Sequence, residues 1–125
     1  MKKLLADIMG QAFAATSGYT PEADDIVEIC DDWEIQLATD ASEAYLGIVE
    51  LVSGYDIDQN VTVRTRFTDL RELEASGTIT AGDKLVPAGS NTVRTYVFDT
   101  DSDHSVLGIA CEGAENGETF HALTY

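Results

Sequence analysis

The chain has 125 residues, 44% of them hydrophobic, and it carries 23 acidic against 7 basic residues. This length and apolar fraction predict one ordinary folded domain and argue against disorder. The net charge of -16 argues against a protein that binds nucleic acid or an anionic membrane, since phosphate contacts need Lys and Arg. An acidic, lysine-poor surface is typical of halophilic proteins from high-salt environments, and an ordinary acidic protein is the other interpretation.

The first predicted element, residues 1–18, is an N-terminal arm or short amphipathic helix. Asp7 and Gln11 interrupt its apolar run, which argues against a signal peptide, and no run in the sequence is long enough to span a membrane. The apolar side chains fall on one side at helical spacing, behind two lysines. We expect this arm to contact a larger partner or a neighbouring subunit through Lys2, Lys3, Leu4, Leu5, Ile8, Met9 and Phe13.

The next feature is an internal repeat. Residues 31–50 can be placed without gaps within residues 90–111 at a constant offset of 61, so that Leu46-Gly47-Ile48 lies on Leu107-Gly108-Ile109. The same alignment places Thr39-Asp40 on Thr100-Asp101. Self-similarity at a fixed spacing indicates two copies of one supersecondary unit.

Each copy has the alternating β-branched and aromatic residues of strands, separated by clusters of Gly, Asp, Asn and Ser. About eight short strands predict an all-β domain, a small barrel or sandwich made of two pseudo-repeats. Residues 23–67 form the first repeat and residues 79–125 the second, and residues 60–65 can be set against residues 119–124. Gly108 permits close approach of neighbouring strands.

A short connecting helix is predicted between the repeats, at residues 68–78. Asp69 can cap its first turn with Glu72 three residues on, and Gly77 suits its end. The whole of residues 1–125 is thus expected to form a single domain.

Three alternating aspartates, Asp99, Asp101 and Asp103, are the candidate metal ligands, because calcium loops use this spacing for their first ligands. The calcium-loop motif also needs Gly at its sixth position and Glu at its twelfth, where this chain has His104 and Ala110. The first repeat keeps only one of the three aspartates in the corresponding turn. A polar turn that hydrogen-bonds its own backbone is therefore the preferred interpretation, with calcium as the alternative.

No catalytic constellation stands out in the sequence. His104 and His121 have no neighbouring motif of a hydrolase, a zinc protease or a phosphate-binding loop, so we expect neither catalysis nor a cofactor. Cys30 and Cys111 are too few for a disulfide framework or a thiolate metal site. They are predicted to be buried free thiols, and a single disulfide bridge is the alternative.

The second half of the chain resembles the decoration, or cement, proteins of tailed viruses. The resemblance is carried by Thr80–Gly89, Val106–Ala110 and Glu115–Thr119. It implies a β-barrel or β-tulip fold, a trimer at threefold positions of the capsid, no catalysis and no cofactor. We therefore expect a non-enzymatic structural protein on the capsid surface of a virion, which binds the outer face of the major capsid shell and stabilises it.

Two alternatives remain open. The first is a secreted or cell-surface β-sandwich that binds calcium through the aspartate turn, or glycan through Trp33, Tyr45 and Tyr55. The second is a small enzyme on a β-barrel, whose turnover would have to depend on His121.

Overall fold

The computed structural model describes residues 11–52, 60–65 and 69–125. Within these ranges the fold is all-β, with ten strands and one 3₁₀ turn at Asp103–Ser105. No helix in the described ranges is long and apolar enough to cross a membrane. The strands are β1 Gln11–Ala15, β2 Ile26–Asp31, β3 Glu34–Leu37, β4 Tyr45–Val52, β5 Asn60–Thr65, β6 Asp69–Glu74, β7 Lys84–Gly89, β8 Thr92–Thr95, β9 Gly108–Ala110 and β10 Thr119–Thr124.

The first five strands, which we call the first unit, close into a barrel in the order β1-β3-β2-β4-β5. Strand β1 closes it, since it runs antiparallel to β5 and parallel to β3, where Ala15 lies opposite Ile35. Closure leaves no unpaired sheet edge in this unit. Its interior is filled by Phe13, Val27, Ile35, Val49, Val61 and Val63.

The second five strands, the second unit, form a sheet in the order β6-β10-β9-β7-β8. Its two end strands meet at a parallel bridge between Ala75 and Val93, and the Ser76 N–H donates to the Val93 carbonyl at 2.7 Å. The same parallel contact joins β1 to β3 in the first unit. The two units therefore share one topology, in which β6 corresponds to β1 and β10 to β5.

The predicted repeat is confirmed at its glycines and corrected in its alignment. Gly47 lies opposite Val27, and Gly108 lies opposite Leu85, so the two glycines are equivalent. The alignment without gaps is wrong at β3, however. Ile35 corresponds to Val93, because each makes the parallel contact just described, and so the extra residues of the second unit lie in its acidic turn.

Both predicted helices are wrong where the structure describes them. Residues 11–15 are strand β1, and Phe13 faces the barrel interior. Residues 69–74 are strand β6, which pairs with β10 along its whole length. In both places strand pairing overrides the local sequence preference for a helix, because tertiary contacts outweigh weak intrinsic propensities. Residues 1–10 of the predicted arm lie outside the described residues.

The two units pack on each other through apolar side chains. Ile26, Ala38 and Tyr45 of the first unit belong to the same buried cluster as Leu85 and Leu107 of the second. Burial of this shared cluster fixes which faces of the units remain exposed.

Candidate functional site

The acidic turn of the second unit is built around one buried ion pair. The Asp101 side chain is 2% exposed, and Arg94 donates to its two oxygens from Nη1 and Nη2 at 2.7 and 2.8 Å. The Val97 N–H donates to the same carboxylate at 2.8 Å. These hydrogen bonds from Arg94 hold the pKa of Asp101 below its ordinary value.

The other two candidate ligands face elsewhere. Asp103 accepts a hydrogen bond from the Tyr96 hydroxyl at 2.7 Å, which raises the pKa of that phenol. Asp99 is exposed and has a positive φ of 71°. In the part of the chain that the structure describes, no group of three or more His, Cys, Asp or Glu side chains is arranged to hold a metal ion. Because Asp101 is already paired with Arg94, the geometry favours the hydrogen-bonded turn.

In the first unit a different carboxylate accepts the hydrogen bonds at the corresponding turn. Gln36 and Thr39 occupy the positions of Arg94 and Val97, and here the carboxylate comes from Glu28 on β2. Glu28 accepts from Gln36 Nε2 and from the Thr39 N–H, both at 2.8 Å. Burial alone would raise the pKa of Glu28, but these hydrogen bonds outweigh it and lower the pKa.

A set of polar contacts, which we call the joint, connects the two units through Arg94 and the hairpin between β7 and β8. Arg94 Nε also donates to Asp40 of the first unit at 2.8 Å. The Asn91 side-chain oxygen accepts from the Ile26 N–H at 2.8 Å, and the Ala41 N–H donates to the Pro87 carbonyl at 2.8 Å. The acidic turn thus holds Arg94, through Asp101, in the position where it binds Asp40 of the first unit, a role that the sequence pattern did not indicate.

A second arginine reinforces the joint from β6. Arg71 donates to Asp24 at 2.9 Å and lies 3.2 Å from Asp69, and it also pairs with Glu50. Its side chain is only 14% exposed, so these carboxylates compensate a largely buried charge. Arg71 comes from the segment predicted to be a helix, which is why sequence reasoning missed it.

Each unit has two faces that the joint defines. The hairpin face is the turn between its second and third strands, residues 29–33 in the first unit and residues 87–91 in the second. The entry face is the start of its second strand together with the turn after its third strand. It comprises residues 24–26 and 39–41 in the first unit and residues 82–84 and 97–99 in the second. The joint places the hairpin face of the second unit on the entry face of the first.

The hairpin face of the first unit forms an open groove of about 550 Å³. Trp33 is 66% exposed at its rim, and the Trp33 ring lies 5.5 Å from the ring of Phe13. The groove is lined by Phe13, Ile29, Cys30, Asp31, Asp32 and Trp33. Of the predicted contact residues the structure describes only Phe13. Lys2, Lys3, Leu4, Leu5, Ile8 and Met9 lie outside the described residues and stay a prediction.

The entry face of the second unit is also exposed. Phe98 is 78% exposed and Val97 48% exposed, beside the exposed Lys84. Two adjacent apolar side chains this open to solvent make the face a candidate interaction surface. The groove and this entry face are the candidate functional surfaces of the molecule.

The remaining sequence candidates are scattered. His104 and His121 are exposed, and His121 Nδ1 lies 2.7 Å from Glu112, whose pKa is lowered by that contact. Tyr45 is 5% exposed within the shared cluster, away from the exposed Trp33, and Tyr55 lies outside the described residues. Trp33 and Tyr45 are therefore not exposed together, as the predicted sugar-binding surface would require.

The two cysteines are free, as predicted, but they are exposed instead of buried. We expect the native protein, at a dilution that keeps it monomeric, to gain two adducts with N-ethylmaleimide in the absence of denaturant, because both thiols are accessible in the isolated chain. Intact-protein mass spectrometry measures the number of adducts. A sample labelled in urea is the control, and a native protein that gains fewer adducts than this control would contradict the exposed placement.

Among known proteins, this chain is similar to a solved structure in its fold and matches no family or curated sequence. No family model matches the sequence, and no curated protein matches it either. A solved structure with a similar fold is the N base of head fiber gp8.5 in bacteriophage phi29, at 20% sequence identity and a TM-score of 0.52. The match covers 91% of this chain and 91% of that chain. The chain therefore shares its fold, over nearly its whole length, with a protein of a phage head.

Proposed function

We propose that the protein is a non-enzymatic structural component of a tailed-phage virion, located on the capsid surface. The observation that carries this proposal is the fold shared with a phage head fiber base across 91% of both chains. The resemblance of residues 80–119 to decoration proteins supports the same class from the sequence. A structural component of this kind needs exposed contact area more than a reactive site.

The proposed role is to bind the outer face of the major capsid shell and stabilise it, as a homo-oligomer, in the simplest case a trimer. The exposed apolar side chains at the groove and at the second entry face supply contact area for such assembly. The acidic surface, with its net charge of -16, keeps the exposed side soluble. The partner is then the major capsid protein, with no role for nucleic acid, membrane or cofactor.

A second candidate function follows from the place of the structural neighbour in its own phage. That protein is the N base of a head fiber, so the present chain is also a candidate for the base that attaches a fiber to a capsid. The two candidates share the contact with the shell and differ in whether anything is attached above it.

The decisive experiment mixes the purified protein with capsids that lack it. We expect saturable co-sedimentation and a higher melting temperature of the capsids, measured by differential scanning calorimetry. Capsids that already carry the protein are the control, since their sites are filled and no further binding should occur. A strict monomer that leaves capsids unbound and their melting unchanged would contradict the proposal.

A further inference from the structure

The joint between the two units shows how one unit of this fold binds another. Because the units share one topology, each carries both a hairpin face and an entry face. The joint uses the hairpin face of the second unit and the entry face of the first. The hairpin face of the first unit and the entry face of the second are left without a counterpart in the described part of the chain.

The two entry faces match in backbone conformation. Asp24 and Gly82 occupy equivalent positions with φ of 72° and 90°, and Ala41 and Asp99 do so with φ of 51° and 71°. Asp24 N–H donates to the Val49 carbonyl, and Gly82 N–H makes the same bond to Ala110, both at 2.8 Å. The second entry face thus has the backbone shape that receives a hairpin face in the joint.

The side chains on the two unused faces are unusually apolar for exposed positions. Ile29 is 37% exposed, whereas its equivalent in the joint, Pro87, is fully buried. Trp33 stands where the joint has Asn91. On the other face, Phe98 stands where the joint has Asp40. A contact with the geometry of the joint would bring the exposed Phe98 against the groove that Trp33 and Ile29 line.

Lys84 supplies one complementary charge on the second entry face, which also carries Asp83 and Asp99. Lys84 in the second unit is equivalent to Ile26 in the first, and the Ile26 N–H donates to the Asn91 side-chain oxygen in the joint. The same placement between copies would bring Lys84 to Trp33, which the exposed Asp31 and Asp32 flank. A lysine ammonium is attracted both by carboxylates and by the face of an indole ring.

We propose that copies of this chain associate head to tail, with the groove of one copy on the second entry face of the next, in the manner of the internal joint. A contact between two different faces closes into a ring when the rotation between copies allows it, and a trimer is one such ring. The inference rests on the proposed oligomer and is independent of the proposed place in a virion.

The test uses two variants, each of which disables one face. Trp33→Ser removes the groove's aromatic rim, and Phe98→Ser removes the apolar centre of the entry face. Analytical ultracentrifugation should show each variant alone with an apparent dissociation constant at least about tenfold above wild type, the loss expected for an aromatic anchor. An equimolar mixture should form one-to-one dimers through a single intact contact, at least about tenfold tighter than either variant binds itself, because each variant keeps the face that the other has lost.

Leu123→Ser is the matched control, since Leu123 is an apolar side chain, 40% exposed, that lies on neither face; it should associate like wild type. Charge reversal gives a second test that leaves the apolar contacts in place. Lys84→Asp should weaken association at least about fivefold at low salt, and Asp31→Lys combined with it should restore it.

Three outcomes would overturn the inference. In the first, both serine variants associate like wild type. In the second, Trp33→Ser weakens association but Phe98→Ser does not. In the third, the equimolar mixture forms no dimers. A wild-type protein that stays monomeric at every concentration would also overturn it, while binding of that monomer to capsids would leave the virion role intact. Conversely, head-to-tail association without capsid binding would overturn the virion role alone.

Discussion

Replacing Arg94 by methionine is expected to lower the free energy of unfolding by about 3 kcal/mol, the cost of leaving one partner of a buried ion pair uncompensated. The Asp101 side chain is 2% exposed, and without Arg94 only the Val97 N–H would remain among its described hydrogen-bond donors. Urea unfolding followed by circular dichroism measures the change. Methionine keeps the unbranched stem of the arginine side chain and removes the guanidinium group, so the loss is mainly one of charge and hydrogen bonds.

The repeat supplies a matched control for this substitution. Gln36 occupies the position of Arg94 in the first unit, and its Nε2 donates one hydrogen bond to Glu28 at 2.8 Å. Gln36→Met removes a single hydrogen bond to a carboxylate that keeps the Thr39 donors, so we expect a loss of about 1 kcal/mol. Equal losses in the two variants would contradict a special role for the Arg94–Asp101 pair.

The loss caused by Arg94→Met should shrink on acidification. The Arg94 hydrogen bonds hold the pKa of Asp101 in the folded protein below its ordinary value of 3.8. The Asp101 carboxylate is therefore protonated more readily in the unfolded chain than in the folded protein. The stabilisation is therefore fully present above pH 4, roughly, and is lost as the pH falls through the folded pKa. Unfolding measured between neutral pH and about pH 3 should show the two proteins converging, whereas a constant difference would contradict the assignment.

The strands that could be predicted from the sequence are those whose pattern occurs in both repeats. The Leu-Gly-Ile tripeptides at Gly47 and Gly108 identified two equivalent strands, and alternation of apolar residues identified their neighbours. These signals are reliable because a half-buried strand needs a period of two whatever it pairs with. The match of residues 60–65 with residues 119–124 is confirmed by the equivalent pairings of Thr65 and Thr124 with these glycines.

The strands that sequence missed are those whose local signals point to a helix. Asp69–Glu74 is rich in Leu, Arg and Glu, which favour helices, and it begins with a capping residue. In the structure Leu73 faces the core while Leu70 and Glu72 face solvent. The sequence does not show this alternation, because Leu70 and Leu73 are three residues apart and lie on opposite sides of the strand. Only pairing with β10 makes the segment a strand.

The role of the aspartate turn could not be predicted either. Asp101 was singled out for its spacing from Asp99 and Asp103, whereas its function depends on Arg94 and on the first unit's Asp40. A turn that binds calcium and a turn that binds an arginine need the same carboxylates. The distinction requires knowing which strand lies beside the turn, and the sequence does not contain that information locally.

Replacing either repeat glycine by alanine is expected to cost about 3 kcal/mol, the upper end of what overpacking costs. A Cβ at Gly108 would lie 3.0 Å from Thr124 Cα and closer still to the Leu123 carbonyl oxygen. A Cβ at Gly47 would lie 2.9 Å from Thr65 Cα and closer still to the Arg64 carbonyl oxygen. Both obstacles are backbone atoms of a neighbouring strand, so they can give way only if the strands separate.

Gly117→Ala provides the comparison for these two variants. Gly117 has a φ of 85° and open space where its Cβ would be, so alanine there costs only backbone strain of about 1 kcal/mol. Thermal and urea unfolding of the three variants should therefore rank Gly47 and Gly108 together and well below Gly117 in stability. If Gly108→Ala unfolded like Gly117→Ala, the close approach of β9 and β10 would be refuted, and with it the structural reason why both repeats keep glycine at this position.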